Sequence, residues 1–238
     1  MKNIFLIVIV LNMFSSAPAA VAQGIRVVYS MQLNNPSLSD LEPSIRAVVE
    51  AQLKTMNRNF VLLHHNGESL YFPDEASQSN AQTIQMGGGN VIIHKNLRDK
   101  QMVSQDNILD RQFLITEPLG QIQWKLSSEE KKVGNFVAKK ATFEDNGITA
   151  WYCPEIPISD GPGKNWGLPG LILELHTQSQ TIIVQEISLN YDTSGKIAAP
   201  TSGKSVSRPE FDEMRNQRLK ELGVDGEQHG GGVRVIRM

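Results

Sequence analysis

Apolar and polar residues alternate one by one from Gly24 to Asn34. Ile25, Val27, Tyr29, Met31 and Leu33 fall on one side; Arg26, Ser30, Gln32 and Asn34 fall on the other. A period of two marks a half-buried strand, because successive side chains of an extended backbone point to opposite faces. The period then lengthens. Ile45, Val48, Val49, Leu53 and Met56 recur at helical spacing, behind Ser39-Asp40-Leu41-Glu42 with its capping-box spacing and Pro43 in the first turn. This predicts an amphipathic helix over 39–57 with one face to bury. Phe60 to Leu63 and Ser69 to Phe72 then flank His64-His65-Asn66-Gly67. Asn-Gly signals a hairpin, since a type I′ turn needs positive φ at both central residues. Residues 73–90 are polar and end in three glycines. They predict a loop rather than a phosphate cradle, because no Gly-x-Gly-x-x-Gly or Walker lysine pattern is present.

From Val91 the chain reads as short strands separated by turns at Asn96–Asp99, at Pro118–Gly120 and over the charged stretch Ser127–Gly134. Glu144-Asp145-Asn146-Gly147 closes a hairpin between 136–143 and 148–152, and 171–176 with 181–189 form a last pair. Short loops imply antiparallel neighbours, as parallel ones need long crossovers. Residues 192–207 are rich in Ser, Thr, Gly, Lys and Pro and predict a linker. A charged helix follows from Pro209 to Leu222, with Gly223 as its stop and a thin stripe of Phe211, Met214, Leu219 and Leu222. The run Val233-Arg234-Val235-Ile236-Arg237-Met238 reads either as a frayed end or as an edge strand.

Charge and composition narrow the class. The 238 residues are 40% hydrophobic and carry 23 Lys+Arg against 25 Asp+Glu, a net −2. No strong field favours nucleic acid, so no nucleic-acid partner is expected. Lys2, the apolar run Ile4–Phe14 and Ala20-Val21-Ala22 have the pattern of a cleavable signal peptide over 1–22, with cleavage near Ala22/Gln23. The expectation is an exported protein, periplasmic or associated with the outer membrane, with no transmembrane span in the mature chain. The single Cys153 stands beside Trp151, Tyr152 and Pro154, none of them a base, and reads as a buried, inert thiol.

Candidate chemistry is sparse. His64 and His65 are neighbours in a strand and point to opposite faces, while His94, His176 and His229 are scattered, so no metal set and no cofactor is expected. No His-Glu-x-x-His, Gly-x-Ser-x-Gly or Ser-x-x-Lys pattern occurs, and no catalytic residue is assigned. Glu129-Glu130-Lys131-Lys132 reads as a solvated hairpin tip. Glu174 and His176 share one face of a strand, which marks either a wet sheet face or, above a cavity, an acid–base pair.

The richest stretch is Thr149-Ala150-Trp151-Tyr152-Cys153-Pro154-Glu155-Ile156-Pro157-Ile158-Ser159-Asp160-Gly161-Pro162, leading into Trp166-Gly167-Leu168-Pro169-Gly170-Leu171-Ile172-Leu173-Glu174. Pro154, Pro157 and Pro162 cannot donate ladder hydrogen bonds, so the segment should arch away from the sheet. Gly167 and Gly170 then permit a tight re-entry into the strand from Leu171. The arch is either a fold-defining corner or a binding surface made by Trp151, Tyr152, Asp160 and Trp166. Here the chain resembles the GLPGLI family, named for the hexapeptide that stands as Gly167, Leu168, Pro169, Gly170, Leu171 and Ile172. Lys140-Ala141-Thr142 and Ala150-Trp151-Tyr152 also look like that family's pattern. The resemblance implies an exported protein of a Gram-negative bacterium, without an established activity. Family members often carry a Cys ahead of the Lys-Ala-Thr segment; Phe136-Val137-Ala138-Lys139 stands here, which weakens any redox role the resemblance would carry.

The expected fold is α+β: a curved, half-barrel-like antiparallel sheet over 23–191, with the helix at 39–57 packed on one face and a C-terminal helix within 192–238. The expected role is a non-enzymatic envelope protein that binds a lipid or other hydrophobic ligand, held in an apolar concavity, or an envelope or outer-membrane protein. Two alternatives stand beside it. One is a periplasmic hydrolase using His94 or His176 with Glu174 or Asp160. The other is a purely structural envelope component.

Overall fold

The computed structural model describes residues 23–34, 42–43, 46, 57–74 and 91–221. The predicted signal peptide, residues 75–90 of the predicted loop at 73–90, and residues 222–238, which hold the predicted end of the C-terminal helix and the predicted tail, lie outside these residues; Pro73 itself ends a strand. So does most of the predicted helix at 39–57. Of it, Pro43 and Arg46 are helical, and the Arg46 amide donates to the Glu42 carbonyl at 2.8 Å.

The alternating segments become strands β1 (Gln23–Leu33), β2 (Arg58–His65), β3 (Glu68–Pro73), β4 (Ile92–Asn96), β5 (Gln101–Ile108) and β6 (Arg111–Pro118). These are followed by β7 (Lys125–Val133), β8 (Phe136–Phe143), β9 (Ile148–Cys153), β10 (Leu171–His176), β11 (Gln180–Asp192) and β12 (Lys204–Val206), with helix α1 (Arg208–Glu221) last. All twelve strands join one curved, unclosed sheet in the order β12-β6-β5-β4-β3-β2-β1-β11-β10-β9-β8-β7. Every pairing is antiparallel except the short β12–β6 contact. From β1 the chain steps outward to β6, passes through Leu119–Trp124 to the far edge at β7, and walks back until β11 lies against β1. The architecture is mostly β, so the α+β expectation holds only loosely.

Local turn chemistry accounts for the hairpins. Asn66 (φ 47°) and Gly67 (φ 74°) both take positive φ, as the type I′ turn demands. Gly147 (φ 61°) ends the 3₁₀ turn Glu144–Asn146 between β8 and β9. Two expectations are corrected. The charged stretch 127–134 is not a turn but most of β7, whose Glu129 and Glu130 pair with Lys140 and Lys139 of β8. An edge strand is wet on both faces, so it shows no apolar period to read. Within the expected linker, Lys204–Val206 adds to β6, and Ser207 caps α1. The Ser207 amide donates to Glu210 Oε2 at 2.8 Å, and the Glu210 amide returns to Ser207 Oγ at 3.4 Å. Phe211 then buries itself against Phe113 and Ile115.

The main core lies on the inner face. It is built from Tyr29, Phe60, Leu62, Tyr71, Ile93, Leu171, Leu173 and Leu175, with Cys153 buried beside them as expected. Between β9 and β10 the chain leaves the sheet as the predicted arch, 154–170, a strap folded over that face. Ile156 (5% exposed) and Leu168 (1%) sink into the core. The apolar concavity expected for a lipid chain is therefore occupied by the protein's own strap.

Candidate functional site

One row of side chains on the inner face breaks the apolar rule. Register places His64 of β2 opposite Ser69 of β3, and Ser69 opposite Lys95 of β4. All three are buried, Ser69 and Lys95 completely. The strap supplies the counter-charge. Asp160, with no exposed surface, forms an ion pair with Lys95 through Oδ1 and accepts from His64 Nδ1 through Oδ2 at 3.1 Å. Lys95 Nζ also donates to the Gly161 carbonyl at 2.8 Å, and the Gly161 amide donates to Asp160 Oδ1 at 2.8 Å. Burial alone would raise the Asp160 pKa. The Lys95 charge, then the hydrogen bonds from His64 and Lys95, outweigh it and hold the carboxyl at about 2. Asp160 is thus a buried carboxylate, and His64 must carry its proton on Nδ1. The same burial, together with the Asp160 charge, pushes the Tyr29 hydroxyl well up, so Tyr29 stays neutral and donates to the Ile172 carbonyl at 2.7 Å.

His64 also reaches the surface. With Gly24, Ile25, His65, Asn66, Gly67, Ile158, Leu189 and Asn190 it lines an open groove of about 420 Å³ where the β2–β3 turn, the strap and the end of β11 meet. Its Nδ1 is committed to Asp160, whereas its Nε2 makes no hydrogen bond among the described residues. The Ser69 hydroxyl behind it has no partner among them either.

The residues proposed from sequence part company here. Asp160 lies at the centre of the buried network. Tyr152 points into the core, 4% exposed. Trp151, its neighbour in β9, faces the other side, where Lys131 stacks over its ring at 4.4 Å. Trp166 sits at the strap's far end, its Nε1 donating to the Gly120 carbonyl at 2.9 Å while its own carbonyl accepts from Trp124 Nε1 at 2.8 Å. The four do not share one surface. Glu174 and His176 do meet, beside Lys131, which donates to Glu174 Oε1 at 2.6 Å, but neither lines the groove at His64. His94 lies 3.9 Å from Glu68, so neither it nor His176 is the partner of Asp160.

The hexapeptide forms the corner by which the strap returns to β10. Leu168, Leu171 and Ile172 are buried, Gly167 (φ 92°) and Pro169 are exposed, and Gly170 takes φ 154°. A Cβ on Gly170 would stand 2.2 Å from the Cys153 carbonyl oxygen. Only glycine lets the strap re-enter that close to the end of β9.

Sequence reasoning missed His64, Ser69 and Lys95, although a signal was present. Phe60, Leu62 and His64 share one strand face, as do Ile93 and Lys95. A lysine at an inward position of a strand demands a buried anion.

Comparison with known proteins touches the same region. A family model described as a protein of unknown function (Porph_ging) matches residues 143–174, from the end of β8 through the strap into β10. No curated protein matches the chain in sequence. Among solved structures it is similar to PNGF-II in two crystal forms. The P21 form has a TM-score of 0.54 at 14% identity over 81% of this chain. The C2 form has the same score and identity over 82%. In both, this chain spans only about a third of the longer protein, 33% of its length. At that identity the likeness is one of fold.

Proposed function

We propose that this chain is a non-enzymatic binding protein of the GLPGLI family, exported to the envelope of a Gram-negative bacterium, and that the groove at His64 is where it binds. The hexapeptide corner and the family-model match over the strap support the family reading. The leading basic, apolar and Ala-x-Ala segments support export. One observation carries the binding site: an imidazole fixed by a buried carboxylate, lining a groove of about 420 Å³, with its second nitrogen unused by the described residues. The Asp160 contact fixes a proton on Nδ1 and leaves Nε2 for a hydrogen bond with a ligand or partner. Ile25, Ile158 and Leu189 supply the apolar wall beside it. The binding groups are thus a few placed polar atoms on an apolar lining, the usual make-up of a recognition site.

The test is native mass spectrometry and cross-linking on protein isolated from the envelope, with His64→Gln alongside. Cargo or a cross-linked partner on the parent, lost in a variant that is still folded by circular dichroism at the working temperature, is the expected result. A parent that is clean of both overturns the reading.

A further inference from the structure

We infer that the partner for this groove is an extended polypeptide segment, added as a strand to the unpaired half of β11. The inference rests on the groove being the binding site and adds what binds there. β1 pairs with β11 along its whole length, from Gln23 opposite Asp192 to Leu33 opposite Gln180. On the other side β10 pairs only with Thr181–Ile183. β10 leaves because the strap takes its hydrogen bonds: the Leu171 amide donates to the Ile156 carbonyl and the Ile172 amide to the Asp160 carbonyl, each at 3.0 Å. Among the described residues no backbone hydrogen bond joins the strap to Val184–Asp192. The Lys95–Asp160–His64 network ties the strap to β2 and β4, and the far end of the unpaired stretch is the groove, lined by Leu189 and Asn190.

An unpaired edge is a template for another strand, and proteins blunt the edges they must keep free. The two outer edges of this sheet are blunted. β12 is three residues long, and β7 carries Glu129, Glu130, Lys131 and Lys132 in succession. The inner edge is interrupted by bulges at Gly24/Ile25 and Val28/Tyr29 but still carries apolar side chains. Leu189 is 57% exposed, opposite Ile25, while Val184 and Ile187 are partly buried against the main core.

The size of the site selects its occupant. A stable dimer buries about 800 Å² and roughly 20–30 residues on each side, far more than the nine residues lining this groove. One strand matches a site of this size, and a folded second copy would need a much larger footprint. Its backbone supplies the alternating N–H and C=O groups that the edge needs, and alternate side chains fall toward Ile25, Ile158 and Leu189. The partner segment is apolar at every second position and free of proline at the paired amides.

The probe is the peptide acetyl-Val-Thr-Val-Thr-Val-Thr-amide, added to the full chain and followed by amide hydrogen exchange. A matched peptide is N-methylated on alternate residues. Amides within Val184–Asn190 should exchange at least tenfold more slowly with the first peptide and not with the second. Leu189→Asp, at an exposed position, should weaken peptide binding at least tenfold without a change in melting. Absence of protection at millimolar peptide, or equal protection by the N-methylated peptide, overturns strand addition. Self-association of the protein through this edge, abolished by Leu189→Asp, overturns it as well. If the peptide fails while cargo is still lost in His64→Gln, strand addition falls and the groove reading stands. If the peptide protects while cargo is indifferent to His64→Gln, strand addition stands and the imidazole is not the binding group.

Discussion

Asp160, Lys95 and His64 form a buried polar network, and removing one partner of its ion pair is worse than never having had the pair. Asp160→Ala should cost about 3–5 kcal/mol, because Lys95 is left as a buried charge without a partner. Replacing Lys95 and Asp160 together by Met and Leu should recover much of that loss. A double-mutant cycle in urea checks both, and additive losses would show that the two residues do not act as a unit. The pH dependence has a definite sign. The Asp160 pKa is depressed from its ordinary 3.8 to about 2. Its ionised form therefore stabilises the fold above about pH 4, by about 2 kcal/mol, and that contribution is lost as the pH falls toward 2. Unfolding free energies of the parent and Asp160→Asn should converge over that window; a gap unchanged down to pH 2 would contradict the assignment. In the sequence Asp160 stood out as a candidate, but its partners did not. The contact spans strands β2 and β4 and an arch more than sixty positions further on, and no local pattern encodes such a meeting.

Among the connecting elements, the strap's return corner is the least forgiving. Gly170→Ala should cost about 2–5 kcal/mol, since positive-φ strain adds to overlap with the β9 backbone. Gly134→Ala makes a clean comparison: it shares a positive φ, here 58°, but has nothing within 4 Å of its would-be Cβ. It should cost only about 1 kcal/mol. Equal losses in chemical denaturation would mean that φ alone matters and that close approach does not. The turns at Asn66–Gly67 and Gly147 were legible because their chemistry is complete within four residues. β7 was not, because a strand with two wet faces has the composition of a loop. β12 was not either; its three residues are a strand only because β6 has an edge to offer. Ser207 and Glu210 had the right spacing for a cap, yet a cap is easily overlooked behind a stretch rich in Ser, Thr and Gly.

At the scale of the whole molecule, the connection from β6 to β7 is short for the distance it spans. Those strands are ten places apart in the sheet, or about 48 Å at ~4.8 Å per strand if the sheet were flat. The chain between Pro118 and Lys125 can reach only about 25 Å fully stretched. Residues 119–124 are thus a bowstring, and the sheet is a bow that cannot straighten while the string is intact. The strap is the strut under that string, since Trp166 is bonded to Gly120 and Trp124, and Lys164 to Glu117 at 2.8 Å. A protease site placed between Gly120 and Gln123 tests the tension. Cleavage should widen the particle in small-angle scattering and speed hydrogen exchange in the strap, while the uncut protein, with the site made by substitution so that the string keeps its length, leaves both unchanged. A cut protein of the same dimensions would show that core and strut hold the bend unaided. If the string does hold it, a pull on 119–124 is felt at Asp160, and through it at the imidazole in the groove.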